Sequence, residues 1–117
     1  MSLDELLLIC NNNGVKKRIE VDSIANKELK AFSQEVQTKF VALFTILENE
    51  GFLKEPFVKR IDDELFEMRV KFEGQWRALY AYVDGNRIIV LSAFNKKTQK
   101  TPKQEVDKAK KRLRRYI

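Results

Sequence analysis

Leu65-Phe66-Glu67-Met68-Arg69-Val70-Lys71-Phe72, then Trp76-Arg77-Ala78-Leu79-Tyr80-Ala81-Tyr82-Val83, then Asn86-Arg87-Ile88-Ile89-Val90-Leu91-Ser92-Ala93-Phe94, follow one another with only Glu73-Gly74-Gln75 and Asp84-Gly85 between them. Each run is rich in aromatic and β-branched residues, and each break carries hairpin-turn residues, so a three-strand meander is expected. A three-residue loop Glu73-Gly74-Gln75 sets Phe72 against Trp76, Val70 against Ala78 and Met68 against Tyr80, which makes one apolar face. Glu67, Arg69 and Lys71 then take the opposite face, and Arg69 is also expected across from Arg77, a pairing that needs a register two residues along from that one. A two-residue Asp84-Gly85 turn pairs Tyr80 with Ile89, Ala78 with Leu91 and Arg77 with Ser92. Because a one-residue slip exchanges the faces, this register is a definite expectation: helices on one side, and Arg69, Arg77 and Ser92 gathered on the other.

Upstream, Lys17 to Asp22 alternates around Ile19 and Val21 as a half-buried strand does. Asp22 or Ser23 can cap a helix starting near Ile24. A second helix is expected from about Gln34 to Glu50, with Val36, Phe40, Leu43, Phe44 and Leu47 at three-and-four spacing and Gly51 suited to its end. Glu55-Pro56 and Lys59 to Asp63 read as a connecting segment. Downstream, Asn95 to Pro102 is a basic loop, and a helix runs from Lys103 through Val106, Ala109 and Leu113 to about Tyr116. The fold class that follows is α+β: a small, mostly antiparallel sheet packed by an N-terminal helical pair, with a C-terminal basic helix. Asn11-Asn12-Asn13-Gly14 is a turn cluster, so residues 1–12 read as an appendage and 13–117 as one domain.

The chain has 117 residues, of which 44% are hydrophobic, enough for one core without disulfides or metal. It contains no His and one Cys, Cys10, which removes zinc fingers, Cys/His nucleophile pairs and the Ser-His-Asp triad. The segment Met1 to Cys10 is acidic where a signal peptide is basic and too short to span a bilayer, so a cytoplasmic protein without membrane attachment is expected. The formal charge is +6 and unevenly spread: Lys96 to Arg115 holds ten basic residues against Glu105 and Asp107, leaving a slightly acidic body. Such an end is either a solvated helix face or tail, or a footprint for a polyanion such as nucleic acid.

Arginines facing each other on adjacent strands repel, so either an acid neutralises them, Glu67 being the nearest in sequence, or they hold a phosphate. The Lys96/Lys97/Lys100 loop starts at the rim of the same face. RNA cleavage needs a base on the 2′-hydroxyl, cations on the developing phosphorane and a proton for the departing 5′-oxygen. Arg can supply only the charge, whereas Lys can act as a base when neighbouring cations lower its pKa. A site without His depends on an externally positioned substrate.

The strings Leu65-Phe66-Glu67-Met68-Arg69-Val70, Gln75-Trp76-Arg77-Ala78-Leu79-Tyr80 and Val90 to Pro102, with Glu105 and Ala109, closely resemble the HigB branch of the RelE/ParE toxin superfamily, in its phage-derived HigB-like form. The resemblance covers about residues 16 to 116, and Phe94-Asn95-Lys96-Lys97-Thr98-Gln99-Lys100-Thr101-Pro102 is its most specific part. It implies a toxin of a type II toxin-antitoxin module, a ribosome-dependent endoribonuclease cutting translated mRNA, with a cognate antitoxin, commonly a helix-turn-helix protein, as partner and with no metal or organic cofactor. By position, it implies Arg69, Arg77, Lys96 and Lys97 as the catalytic set. Lys100, Lys103, Lys110, Lys111 and Arg112 form the expected RNA- and ribosome-binding set. Many such toxins have His where this chain has Ser92, and Tyr116 is the only late candidate for their C-terminal aromatic. The competing functions are a non-enzymatic DNA gyrase inhibitor, as in the ParE branch, and an inactive nucleic-acid-binding relative.

Overall fold

The computed structural model describes residues 17–98 and 100–117. The expected appendage, its Asn-Gly turn and Cys10 lie outside the described residues. The chain runs β1 (Arg18–Val21), α1 (Ser23–Lys30), α2 (Gln34–Glu50), β2 (Val58–Arg60), β3 (Phe66–Lys71), β4 (Gln75–Val83), β5 (Arg87–Asn95) and α3 (Lys103–Leu113). The five strands form one sheet in the order β1-β5-β4-β3-β2, antiparallel except for the parallel β1–β5 pair at one edge. The expected α+β class is therefore the observed one.

Local signals explain the helices. The Asp22 carboxylate caps α1 by accepting from the amides of Ile24 and Ala25 at 3.0 and 3.2 Å. Ser33 caps α2, and Gly51 ends it at φ 86°, a conformation that costs a glycine little. From α2, Val36, Phe40, Leu43 and Leu47 are buried against Met68, Val70, Ala78, Tyr80, Ile88 and Val90 of the sheet. Each large side chain so buried stabilises the fold by about 2–3 kcal/mol. Among the described residues, no helix is long and apolar enough to cross a membrane.

Three details of the meander depart from expectation. The β3–β4 loop is Phe72-Glu73-Gly74, so Val70 pairs with Trp76 and Met68 with Ala78, two residues along from the expected partners. A shift of two keeps every side chain on its face, and it is this shift that sets Arg69 opposite Arg77. The β4–β5 turn holds three residues, with Val83 opposite Arg87, and the register slips again between Leu79 and Tyr80. Ile89 thus pairs with Ala81 instead of Tyr80, and Ser92 pairs with Leu79 instead of Arg77, whose partner is Phe94. Leu91 is the extra residue of a β-bulge, a feature that hydrophobic alternation does not announce. The third departure is β2, which pairs with β3 as a short edge strand where a connection is expected; three residues carry no period-two signal.

The second sheet face is consequently not a polar surface along its whole length. Leu79, Ala81, Val83, Ile89 and Leu91 pack beneath Ala109 and Leu113 of α3, and only the end of this face near the β3–β4 loop gathers charge. α3 is held by an ion pair with α1: Arg112 donates to both oxygens of Glu28 at 2.8 and 3.2 Å. The same pair satisfies β5 past Val90, the last residue opposite β1, because Arg112 also donates to the Leu91 carbonyl and Glu28 accepts from the Ala93 amide.

Three carboxylates tie the elements together. Burial pushes Asp22 up, but hydrogen bonds from Tyr116, Ala25 and Ile24 and the charge of Arg112 outweigh it and hold the carboxyl below its ordinary value of 3.8. Glu28, through Arg112, Ala93 and Lys108, and Asp62, through Lys110, Glu64 and Leu65, are likewise lowered against the opposing effect of burial. A carboxyl lowered on folding stabilises the protein fully above its ordinary value and loses that contribution as pH falls through its folded one. The melting temperature is expected to fall on acidification below the ordinary values of 3.8 and 4.5, and Glu28→Gln to flatten part of that fall. An identical pH profile in the variant, measured by circular dichroism, would show that Glu28 is not among the linked groups.

Candidate functional site

Glu67 is the centre of the charged end of the sheet. It points from β3 toward the α3 face and is 0% exposed. Its Oε1 faces three cations: Arg69 Nε at 3.2 Å, Arg77 Nε at 3.5 Å and Lys96 Nζ at 4.0 Å. Its Oε2 accepts from the Thr101 hydroxyl, which ties the β5–α3 loop to β3. One buried negative charge is therefore shared among three positive ones, which resolves the repulsion implied by Arg69 opposite Arg77 and leaves a cationic excess.

Each cation is positioned by backbone structure. Arg77 is 6% exposed, and its guanidinium donates to the Trp76 carbonyl at 3.0 Å and to Gln75 Oε1 at 2.8 Å. Lys96 follows β5 directly, and its amide donates to the Gln75 carbonyl at 2.7 Å, which turns its 8%-exposed side chain inward. Arg69, Arg77, Lys96 and Lys97, together with Gln75 and Thr98, line an open groove of about 600 Å³. Burial pushes the Arg77 guanidinium below its ordinary pKa, with Arg69 adding to the fall and Glu67 opposing it. Lys96 is also lowered: burial is the largest cause, Arg77, Arg69 and Lys59 act in the same direction, and Glu67 opposes them.

The expected catalytic four are thus brought into one groove. The expected binding set is dispersed. Arg112 is 6% exposed and engaged with Glu28 and Leu91, and Lys110 pairs with Asp62 at 2.6 Å. Lys103, beside Asp107 on the surface, and the exposed Lys100 and Lys111 do not line the groove. Ser92 is fully buried opposite Leu79 and is not Arg77's partner, and Tyr116 donates to Asp22 at 2.8 Å, beside the α1 cap and not in the groove. Sequence reasoning does not single out Gln75, Thr98 or Thr101; Thr98 and Thr101 lie in the most specific string, but nothing in their residue type signals a role.

Residues 27–114 match the family described as phage derived protein Gp49-like. The chain belongs to that family. Among solved structures, this Gp49-like protein is similar in fold to a free-state double arginine-to-alanine mutant of the Escherichia coli toxin RelE. The TM-score is 0.65 at 15% identity, covering 84% of this chain and 98% of that one. It is similar also to a chain of the toxin-antitoxin complex RelBE2 from Mycobacterium tuberculosis, with TM-score 0.55, 17% identity, and 70% and 100% coverage. The archaeal RelE–RelB complex from Pyrococcus horikoshii gives TM-score 0.54 at 19% identity, with 68% and 94% coverage. No curated protein matches the sequence significantly. At these identities the likeness is one of fold, and the RelE-like architecture expected from the sequence is the architecture found.

Proposed function

We propose that this Gp49-like protein is the toxin of a toxin-antitoxin module, a metal-independent, ribosome-dependent endoribonuclease of the HigB type that cleaves translated mRNA. The observation that carries the reading is the convergence of Arg69, Arg77, Lys96 and Lys97 on one groove, with Glu67 buried behind them. A groove with that excess of positive charge suits a phosphodiester whose charge grows in the transition state. Arg69 and Arg77 bind the phosphate and stabilise the phosphorane. Lys96, lowered by burial and its cationic neighbours, takes the 2′-hydroxyl proton as its neutral amine. The 2′-oxygen attacks phosphorus, and the 5′-oxygen leaves and is protonated from solvent. The ribosome supplies the alignment of the RNA, which a small open groove lacks.

The RelE chains of two solved complexes are held by antitoxins, which supports an antitoxin partner here, and an acidic segment of that partner laid over the groove neutralises it. Expression of the chain alone arrests growth, and primer extension on translated mRNA shows cuts that vanish when ribosomes are omitted. Intact mRNA together with accumulated gyrase–DNA cleavage complexes would overturn this reading in favour of the gyrase inhibitor.

A further inference from the structure

Beside the cationic groove, between α2 and the β3 edge, lies a second cleft of about 350 Å³ with an apolar floor of Leu43, Phe57 and Val70 and a rim of Lys39, Arg69 and Lys71. Phe57 is 49% exposed, although its backbone is fixed by the Arg69 amide donating to its carbonyl at 2.9 Å. Lys39 is held at the rim, with its ammonium 5.3 Å from the centre of the Phe72 ring. Arg69 lines both this cleft and the cationic groove.

An aromatic face set among cations, with no carboxylate among the described lining residues, matches the two halves of a nucleotide: an apolar, stackable base and an anionic backbone. We propose that this cleft is a nucleobase subsite, in which the base next to the phosphate held by Arg69 and Arg77 stacks on Phe57 while Lys39 and Lys71 hold the following phosphate. This assignment rests on the RNA-cleaving reading and extends it, because it gives the chain its own contact with the substrate base. An acidic amphipathic peptide has related chemistry. The nucleotide is favoured by the wall shared with the phosphate groove: a single strand whose phosphate sits at Arg69 carries its neighbouring base to the mouth of the cleft.

The test is titration of the full chain with tetraadenylate RNA and with the corresponding abasic tetranucleotide at low ionic strength. Phe57→Leu is expected to weaken tetraadenylate binding about ten-fold and to leave abasic binding unchanged, since stacking needs the ring while the charges remain. Phe57→Trp retains affinity and shows fluorescence quenched by tetraadenylate beyond the Trp76 background of the wild type, which also covers the case in which Phe57→Leu fails to fold. Equal weakening toward both ligands, unaltered tetraadenylate binding in Phe57→Leu, or no quenching beyond that background in Phe57→Trp overturns the subsite. So does loss, in Phe57→Leu, of binding to an acidic amphipathic peptide alone. Arg77→Gln separates the two levels. Tetraadenylate binding that depends on Arg77 and not on Phe57 sinks only the subsite, whereas binding that depends on neither sinks the RNA-cleaving reading with it.

Discussion

Glu67→Gln is expected to destabilise the protein by about 3–5 kcal/mol, because it removes the one charge that compensates two buried cations and a third at their edge. Gln is close to Glu in shape and still offers Thr101 an oxygen, so the loss comes from charge and not from a cavity. Arg77 and Lys96 are 6% and 8% exposed and have little water to replace their partner. Against a total folding free energy of about 5–15 kcal/mol, such a change leaves the chain marginal. Urea denaturation followed by circular dichroism measures it, and a loss below about 1 kcal/mol would mean that solvent, not Glu67, balances these cations. Thr101→Val deletes one neutral donor and is expected to cost only about 1–2 kcal/mol, which sets the scale for the charge effect. Lys96 should respond in the same direction: without Glu67, only groups that lower its pKa remain, and its side-chain resonance titrates at lower pH in a folded Glu67→Gln sample.

Arg77→Gln is expected to abolish growth arrest and to reduce ribosome-dependent cleavage by about 100- to 1000-fold while the protein stays folded. Its removal also relieves the Arg69 repulsion and leaves Glu67 with two cations, so stability changes little compared with Glu67→Gln. Arg77→Lys does not restore activity, because the planar guanidinium is fixed through two separate nitrogens to Trp76 and Gln75, a geometry that an ammonium cannot reproduce. Arg69→Gln has a smaller effect, since its side chain is 30% exposed and less fixed. Full toxicity of a folded Arg77→Gln protein refutes the site assignment.

Much of this site is legible in one dimension. The alternation in β3 and β4 puts Arg69 and Arg77 on one face, and the string after Phe94 puts two lysines at the end of the neighbouring strand. The binding set is less legible, because counting lysines and arginines along α3 does not reveal which have partners. Arg112 resembles its neighbours in sequence, yet it lies on the face of α3 that carries Ala109 and Leu113, where Glu28 and the Leu91 carbonyl take its donors. Ser92 is misplaced by the sequence for a different reason. Its position depends on the three-residue turn and the extra residue Leu91, and both slips leave the hydrophobic pattern unchanged to the eye.

The sequence by itself determined the elements other than β2, their order, the α+β class and the shared face of the two arginines, because period, caps and turn residues are local properties. The tertiary structure alone decided that Glu67 is the hub, that Thr101 closes it, that α3 covers most of the expected polar face and that Arg112 is buried against Glu28 and the Leu91 carbonyl. Those outcomes depend on burial and on contacts between residues distant in the chain. A carboxylate is a surface group or the keystone of a charged cluster according to what surrounds it, and only the packed fold supplies those surroundings.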